Sequence, residues 1–277
     1  MMFIDRLQKQ IAAIVTHVSD FHRRRNPGRL IKRVDWPKLF RKRHPVKVVG
    51  ESYPLTFLFV VASMVLLSAV VFDQPVGKAG PVANPVIQHF AQICTRFGKA
   101  DWCLILSFLF GMSGLAVAYR AETVMARGRA LFMAWFGLYL FASIALSGLA
   151  ANLLKRLIGR GRPYVFAEHG AFHFQPLAGS SLYESFPSGH STTFGAIFMM
   201  AALVFPRYRL ALLVGALWMG MSRVMVGAHF PGDVIAGLGF GAWFSLMLAL
   251  VFARAGYVFR AVDGGWPVLR QRLIRRR

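Results

Sequence analysis

The eighteen residues from Leu55 to Phe72, LTFLFVVASMVLLSAVVF, contain no charged side chain. A helix rises about 1.5 Å per residue, so such a run nearly matches the ~30 Å hydrocarbon core of a bilayer. Composition agrees with a membrane solvent: 56% of the 277 residues are hydrophobic and 16% are charged, against about 25% charged in ordinary soluble domains. Mean hydropathy is +0.50. Moving outward from that first run, Trp102–Tyr119, Ala130–Leu154, His190–Phe205, Leu210–Met221 and Val234–Phe252 are further apolar stretches. The expected fold is all-α, a polytopic membrane protein with six transmembrane helices. The fifth run is short on strict counting and is expected to extend through Ser222–Gly227. Trp102 and Tyr119 bracket the second run where interfacial rings prefer to sit. Gly237 and Gly241 form a small-xxx-small pair on the sixth, either a close helix contact or chance in a Gly-rich helix.

The net charge of +22 is concentrated at the two ends. Residues 1–50 hold thirteen Lys/Arg against Asp5, Asp20 and Asp35, and residues 254–277 hold seven Arg against Asp263. These are read as basic cytoplasmic segments flanking a six-helix body over 51–253, with anionic lipid headgroups as their partners. Met2, Phe3, Leu7, Ile11, Ile14, Val15 and Val18 fall roughly on one face, so the first segment is expected to be either in part an amphipathic surface helix or a short soluble helix or disordered tail. It lacks the apolar core of a signal peptide. Arg23–Lys47, broken by Pro27, Pro37 and Pro45, reads as linker. With both tails inside, the inner segments carry 25 Lys/Arg and the outer ones eight, the bias expected of an inner membrane protein. No zinc spacing, recognition helix or aromatic RNA-binding pattern accompanies the charge, so nucleic acid is not an expected partner. No protein partner is identifiable. Cys94 and Cys103 match no metal motif and are read as two unpaired thiols, with a single bridge near the membrane surface as the alternative.

Three polar clusters interrupt the apolar chain, and the predicted topology puts all three on the outer face. The first is KRLIGRGRP, Lys155–Pro163. Lys155 and Arg162 could be interfacial stop residues, or a point charge and a fork for phosphate oxygens. Arg156 and Arg160 fit no such pattern and are read as surface charge. The second is SFPSGH, Ser185–His190. Ser188 suits a helix N-cap, and Gly189 permits close approach to an anion at the exposed N–H groups. His190 has the intrinsic pKa to give a proton to a leaving oxygen. An ordinary capped helix with an interfacial histidine reads the same way. The third is Ser222-Arg223, then His229 and Asp233. His229 and Asp233, four apart, share one face of a helical turn, where a carboxylate can orient a histidine. A helix start favouring Asp explains Asp233 but not His229.

Lys-x6-Arg-Pro, Pro-Ser-Gly-His and Ser-Arg-x5-His-x3-Asp, in this order, resemble the three-part signature of the type 2 phosphatidic acid phosphatase (PAP2) superfamily of integral-membrane lipid phosphatases. Every signature position is filled, and the resemblance covers roughly residues 55–253. It implies that His229 attacks phosphorus to form a phosphohistidine, that Asp233 orients His229, and that His190 protonates the leaving oxygen. It implies that Lys155, Arg162, Ser188, Gly189 and Arg223 hold the non-bridging oxygens, that no metal or other cofactor takes part, and that vanadate inhibits. The expected substrate is a lipid phosphomonoester or diphosphate: undecaprenyl diphosphate, phosphatidylglycerol phosphate, phosphatidic acid or lipid A. Localisation follows as a bacterial inner membrane with the site facing the periplasm. Transfer of phosphate to a lipid acceptor on the same scaffold is the alternative. A transporter or anchor fits less well, because the span interiors hold no Lys, Arg, Asp or Glu.

Overall fold

A computed structural model describes residues 53–262 and 265–270. The possible amphipathic helix at 1–18, the linker at 23–47 and the last seven residues lie outside the described residues. Helix α1, Tyr53–Ser68, passes through a π-helical turn at Ala69–Asp73 into α2, Gln74–Ala79. Then come α3 (Pro85–Phe97), α4 (Ala100–Arg120), α5 (Val124–Ile158), α6 (Phe166–His169), α7 (Gly189–Val204), α8 (Arg209–Met225) and α9 (Pro231–Ala255). The chain is mostly helical. Four helical stretches are long and apolar enough to cross a membrane: Pro54–Ala79, Pro85–Arg120, Val124–Ile158 and Pro231–Ala255. The other two expected spans coincide with α7 and α8, of 16 and 17 residues, about 24–26 Å long.

The all-α expectation needs one amendment. Strands β1 (Phe259–Val262) and β2 (Gly265–Leu269) form an antiparallel hairpin, pairing Phe259 with Leu269 and Arg260 with Val268. Apolar contact holds it, because Val258 and Phe259 are buried in the main core with Tyr139, Ile144, Leu203, Leu246 and Phe252. Trp135 stacks on Tyr257 at 4.0 Å between ring centroids, and Tyr139 O–H donates to the Ser245 carbonyl at 3.2 Å. A basic run therefore carries an ordered element.

Helices α7 and α9 pack at backbone contact. A side chain on Gly237 or Gly241 would collide with the carbonyls of Ser188 and Thr192, so the small-xxx-small pair is the seat on which α7 rests. This contact brings the start of α7 beside the start of α9, and with it the second and third polar clusters. Leu55, Phe59, Met64, Leu66, Leu67 and Val70 of the first helical stretch face outward, as an apolar solvent requires. Cys94 and Cys103 are free thiols.

Candidate active site

Each polar cluster is placed by a helix end. Lys155 lies in the last turn of α5, slightly inside the helix rather than beyond it, and is only 8% exposed. Gly159 ends that helix in the left-handed region, φ +64°, where glycine carries no Cβ penalty. The chain then runs back beside itself. Gly161 N–H donates to the His173 carbonyl at 2.9 Å, Arg162 N–H to Leu182 at 2.8 Å and Ser185 N–H to Arg160 at 3.0 Å. These bonds fold residues 159–187 over the mouth of the bundle and set Arg162 next to Glu184, whose carbonyl accepts from Nη2 at 3.4 Å.

Ser188 caps α7, accepting from the Ser191 N–H at 3.4 Å and the Ser191 hydroxyl at 3.0 Å. Its own N–H donates to the Asp233 carbonyl at 3.0 Å, which ties the second cluster to the third. Gly189 lies against Lys155: a Cβ there would stand 2.9 Å from Nζ. The first and second clusters thus meet at the N-terminus of α7, where backbone N–H groups favour anions. His190, half-buried, lies beside Gly98, within electrostatic reach of Arg223, His229 and Lys155.

His229 sits in the loop between α8 and α9 and is 2% exposed. Its Nδ1 is 3.8 Å from Asp233 Oδ2, an ionic contact longer than a hydrogen bond, and 3.4 Å from Ser185 Oγ. Ser185 bridges the two, donating to Asp233 Oδ2 at 2.6 Å. That arrangement leaves Nε2 as the nitrogen for chemistry. Burial pushes the His229 pKa down to about 4; Asp233 opposes this, and the Arg162 and Arg223 charges add to it. The ring is therefore neutral near pH 7 and carries a lone pair. Asp233 also caps α9, its Oδ2 accepting from the Phe230 N–H at 3.0 Å, so the helix-start reading and the histidine-partner reading are both physically true of it.

Arg223, 8% exposed, donates from Nη1 to Thr95 Oγ1 at 3.3 Å, and Ser222 Oγ lies 3.2 Å from the same hydroxyl. Arg223 Nε and Arg162 Nε are buried without a hydrogen-bond partner. A buried N–H with no acceptor costs free energy, and two of them, on cations whose charge reaches His229, suit an anion's oxygens.

Two residues differ from the sequence reading. Arg160 is not surface charge. It is 3% exposed and donates to Asp233 Oδ1 at 2.6 Å and Asp73 Oδ2 at 2.7 Å. Asp73, which no sequence motif singled out, is fully buried. Thr95 was equally silent, being one polar residue outside all three polar clusters. Arg156, in contrast, is exposed and 3.6 Å from Glu184. Among the described residues no three His, Cys, Asp or Glu side chains group as metal ligands would.

The sequence profile of the PAP2 superfamily matches residues 136–257. The lipid A 1-phosphatase of Rhizobium johnstonii is 51% identical over 218 residues, 79% of this chain and 88% of that protein. The lipid A 1-phosphatase of Rhizobium etli is 47% identical over 214 residues, 77% of this chain and 91% of that protein. A crystal structure of a transmembrane PAP2 type phosphatidylglycerolphosphate phosphatase from Bacillus subtilis aligns with a TM-score of 0.48 at 24% identity, covering 71% of this chain and 92% of that chain.

Proposed function

The chain belongs to the PAP2 superfamily and is a membrane lipid phosphatase, and on that premise we propose that it removes the 1-phosphate of lipid A through a phosphohistidine. The observation that carries the substrate is the likeness to two lipid A 1-phosphatases along nearly their whole length. In this reading the four long helical stretches plus α7 and α8 make six spans around the catalytic body, 51–253. The basic segments 1–50 and 254–277 lie inside, and the site opens at the periplasmic face of the inner membrane.

The geometry supports the following roles. His229 Nε2 attacks phosphorus while Nδ1–H faces Ser185 and Asp233. The P–N bond forms as the bond from phosphorus to the glycosidic oxygen breaks, and His190 gives that oxygen its proton. A water then attacks phosphorus, His190 takes the water's proton, the P–N bond breaks and inorganic phosphate leaves. Lys155, Arg162, Arg223 and the Ser188–Gly189 helix start hold the non-bridging oxygens, which carry most of the transition-state charge. Three cations and a helix N-terminus supply the charge for which other phosphatases use a metal, so the proposed reaction is metal-independent.

The test is phosphate release by detergent-purified protein from lipid A, its 1-dephospho and 4′-dephospho forms, phosphatidylglycerol phosphate and undecaprenyl diphosphate. Release from lipid A that disappears when the 1-phosphate is absent is the expected result. Preferred release from a glycerolipid or polyprenyl diphosphate overturns the substrate. Phosphate appearing on an added acceptor lipid rather than in solution would establish transfer instead.

A further inference from the structure

The shared guanidinium of Arg160 is the feature that the reaction above does not use. It is bonded to the carboxylate beside His229, with Nη1 on Asp233, Nη2 on Asp73, and both Nε and Nη2 on the Ala171 carbonyl at 3.2 and 2.9 Å. Its planar face covers the Phe230 ring at 4.7 Å. Asp73 is delivered by the π-helical turn at Ala69–Asp73, an irregularity that recurs at functional positions. Its Oδ1 accepts from the Gly232 N–H at 2.9 Å, one residue from Asp233. A membrane helix outside all three polar clusters therefore reaches the catalytic carboxylate.

We propose that Arg160 and Asp73 are positioning residues that, with Asp233, form a buried relay holding one surplus negative charge behind His229. This rests on His229 being the nucleophile. One guanidinium between two carboxylates leaves a net charge of minus one, matched when the ring becomes cationic on taking up phosphorus. Arg160 also fixes Oδ1 of Asp233, so that Oδ2 must face Ser185 and His229. A purely mechanical clamp would need no charge, since buried ion pairs often give way to apolar packing without loss of stability.

The two ends of the relay act on His229 with opposite signs. Asp73→Asn removes a negative charge, leaves Arg160 to Asp233 alone, and makes the imidazolium less favourable. Arg160→Gln removes the positive charge and makes it more favourable. Asp233 and Ser185 contact His229, and Arg162, Arg223 and His190 act on it through their charge; none of these residues is changed in either variant.

The experiment follows hydrolysis of para-nitrophenyl phosphate against pH by the full-length chain, its His229→Ala variant and both relay variants. The acid limb of kcat/KM is expected to move about one pH unit down in Asp73→Asn and about one pH unit up in Arg160→Gln. In Asp73→Asn, kcat falls about tenfold with KM little changed, the mark of an interaction realised in the transition state. Arg160→Lys keeps the charge without the fork and restores the limb more than the rate. Should Arg160→Gln fail to fold, Asp73→Asn decides alone, since it keeps an acceptor for the Gly232 N–H. Limbs that coincide with wild type, or move the same way, overturn the relay. Turnover surviving in His229→Ala would instead sink the phosphohistidine on which it stands.

Discussion

Arg160 and Arg162 stand two residues apart and occupy opposite environments. Arg160 belongs to a closed region, where Asp73, Asp233, Ser185, Phe230 and Gly232 exchange hydrogen bonds of 2.6–3.0 Å until both carboxylates are saturated. Arg162 belongs to an open region with Lys155 and Arg223, where two buried guanidinium nitrogens have no acceptor. His229 lies between them. Fixed dipoles and charges work best when they need not reorganise, so one region is finished before substrate arrives and the other is completed by the phosphate. In the proposed reaction, similar residue types, divided by their partners, hold the nucleophile on one side and the ligand on the other.

Substitution should separate the two regions. Arg223→Ala or Arg162→Ala in the open region is expected to lower kcat/KM by about 10²–10³, with the melting temperature in detergent nearly unchanged because few protein contacts are lost. Arg160→Ala in the closed region leaves two buried carboxylates without their cation and should cost about 3–5 kcal/mol of stability. A stable Arg160→Ala beside an unfolded Arg223→Ala would reverse the assignment.

A smaller effect sharpens the comparison through pH. His229 is neutral because burial outweighs Asp233, with a pKa of about 4. The wild-type ring should remain about nine-tenths neutral at pH 5 and lose its nucleophilic form only below that. Since an unfolded histidine takes its proton near pH 6.5, folding also loses stability as pH falls from there towards 4. An acid limb of kcat/KM that follows His229 at its ordinary value would mean that burial does not outweigh the pull of Asp233.

The sequence made the membrane class visible because a charge-free run of eighteen residues has few other uses. Motif spacing picked out Lys155, Arg162, Ser188, Gly189, His190, Arg223, His229 and Asp233, and the fold gathers these distant positions around the starts of α7 and α9. Arg160 was hidden among the four cations of Lys155–Arg162, where nothing local tells a buried guanidinium from a solvated one. Asp73 was hidden because a carboxylate closing an apolar run looks like an interfacial stop, and only a π-helical turn buries it. The hairpin was masked by the arginines around it, although Asp263-Gly264 between Phe259 and Trp266 is a dipeptide that hairpins favour.

In the proposed reaction His229 carries the phosphoryl group between the two regions. That step is tested most directly by rapid acid-free quenching of the wild type and of His229→Ala with ³²P-labelled lipid, followed by peptide mapping. The expected result is a label on His229 that survives alkali, is released by acid, and is absent from His229→Ala. A wild type that turns over with no such label, or a label that persists in the variant, would contradict it.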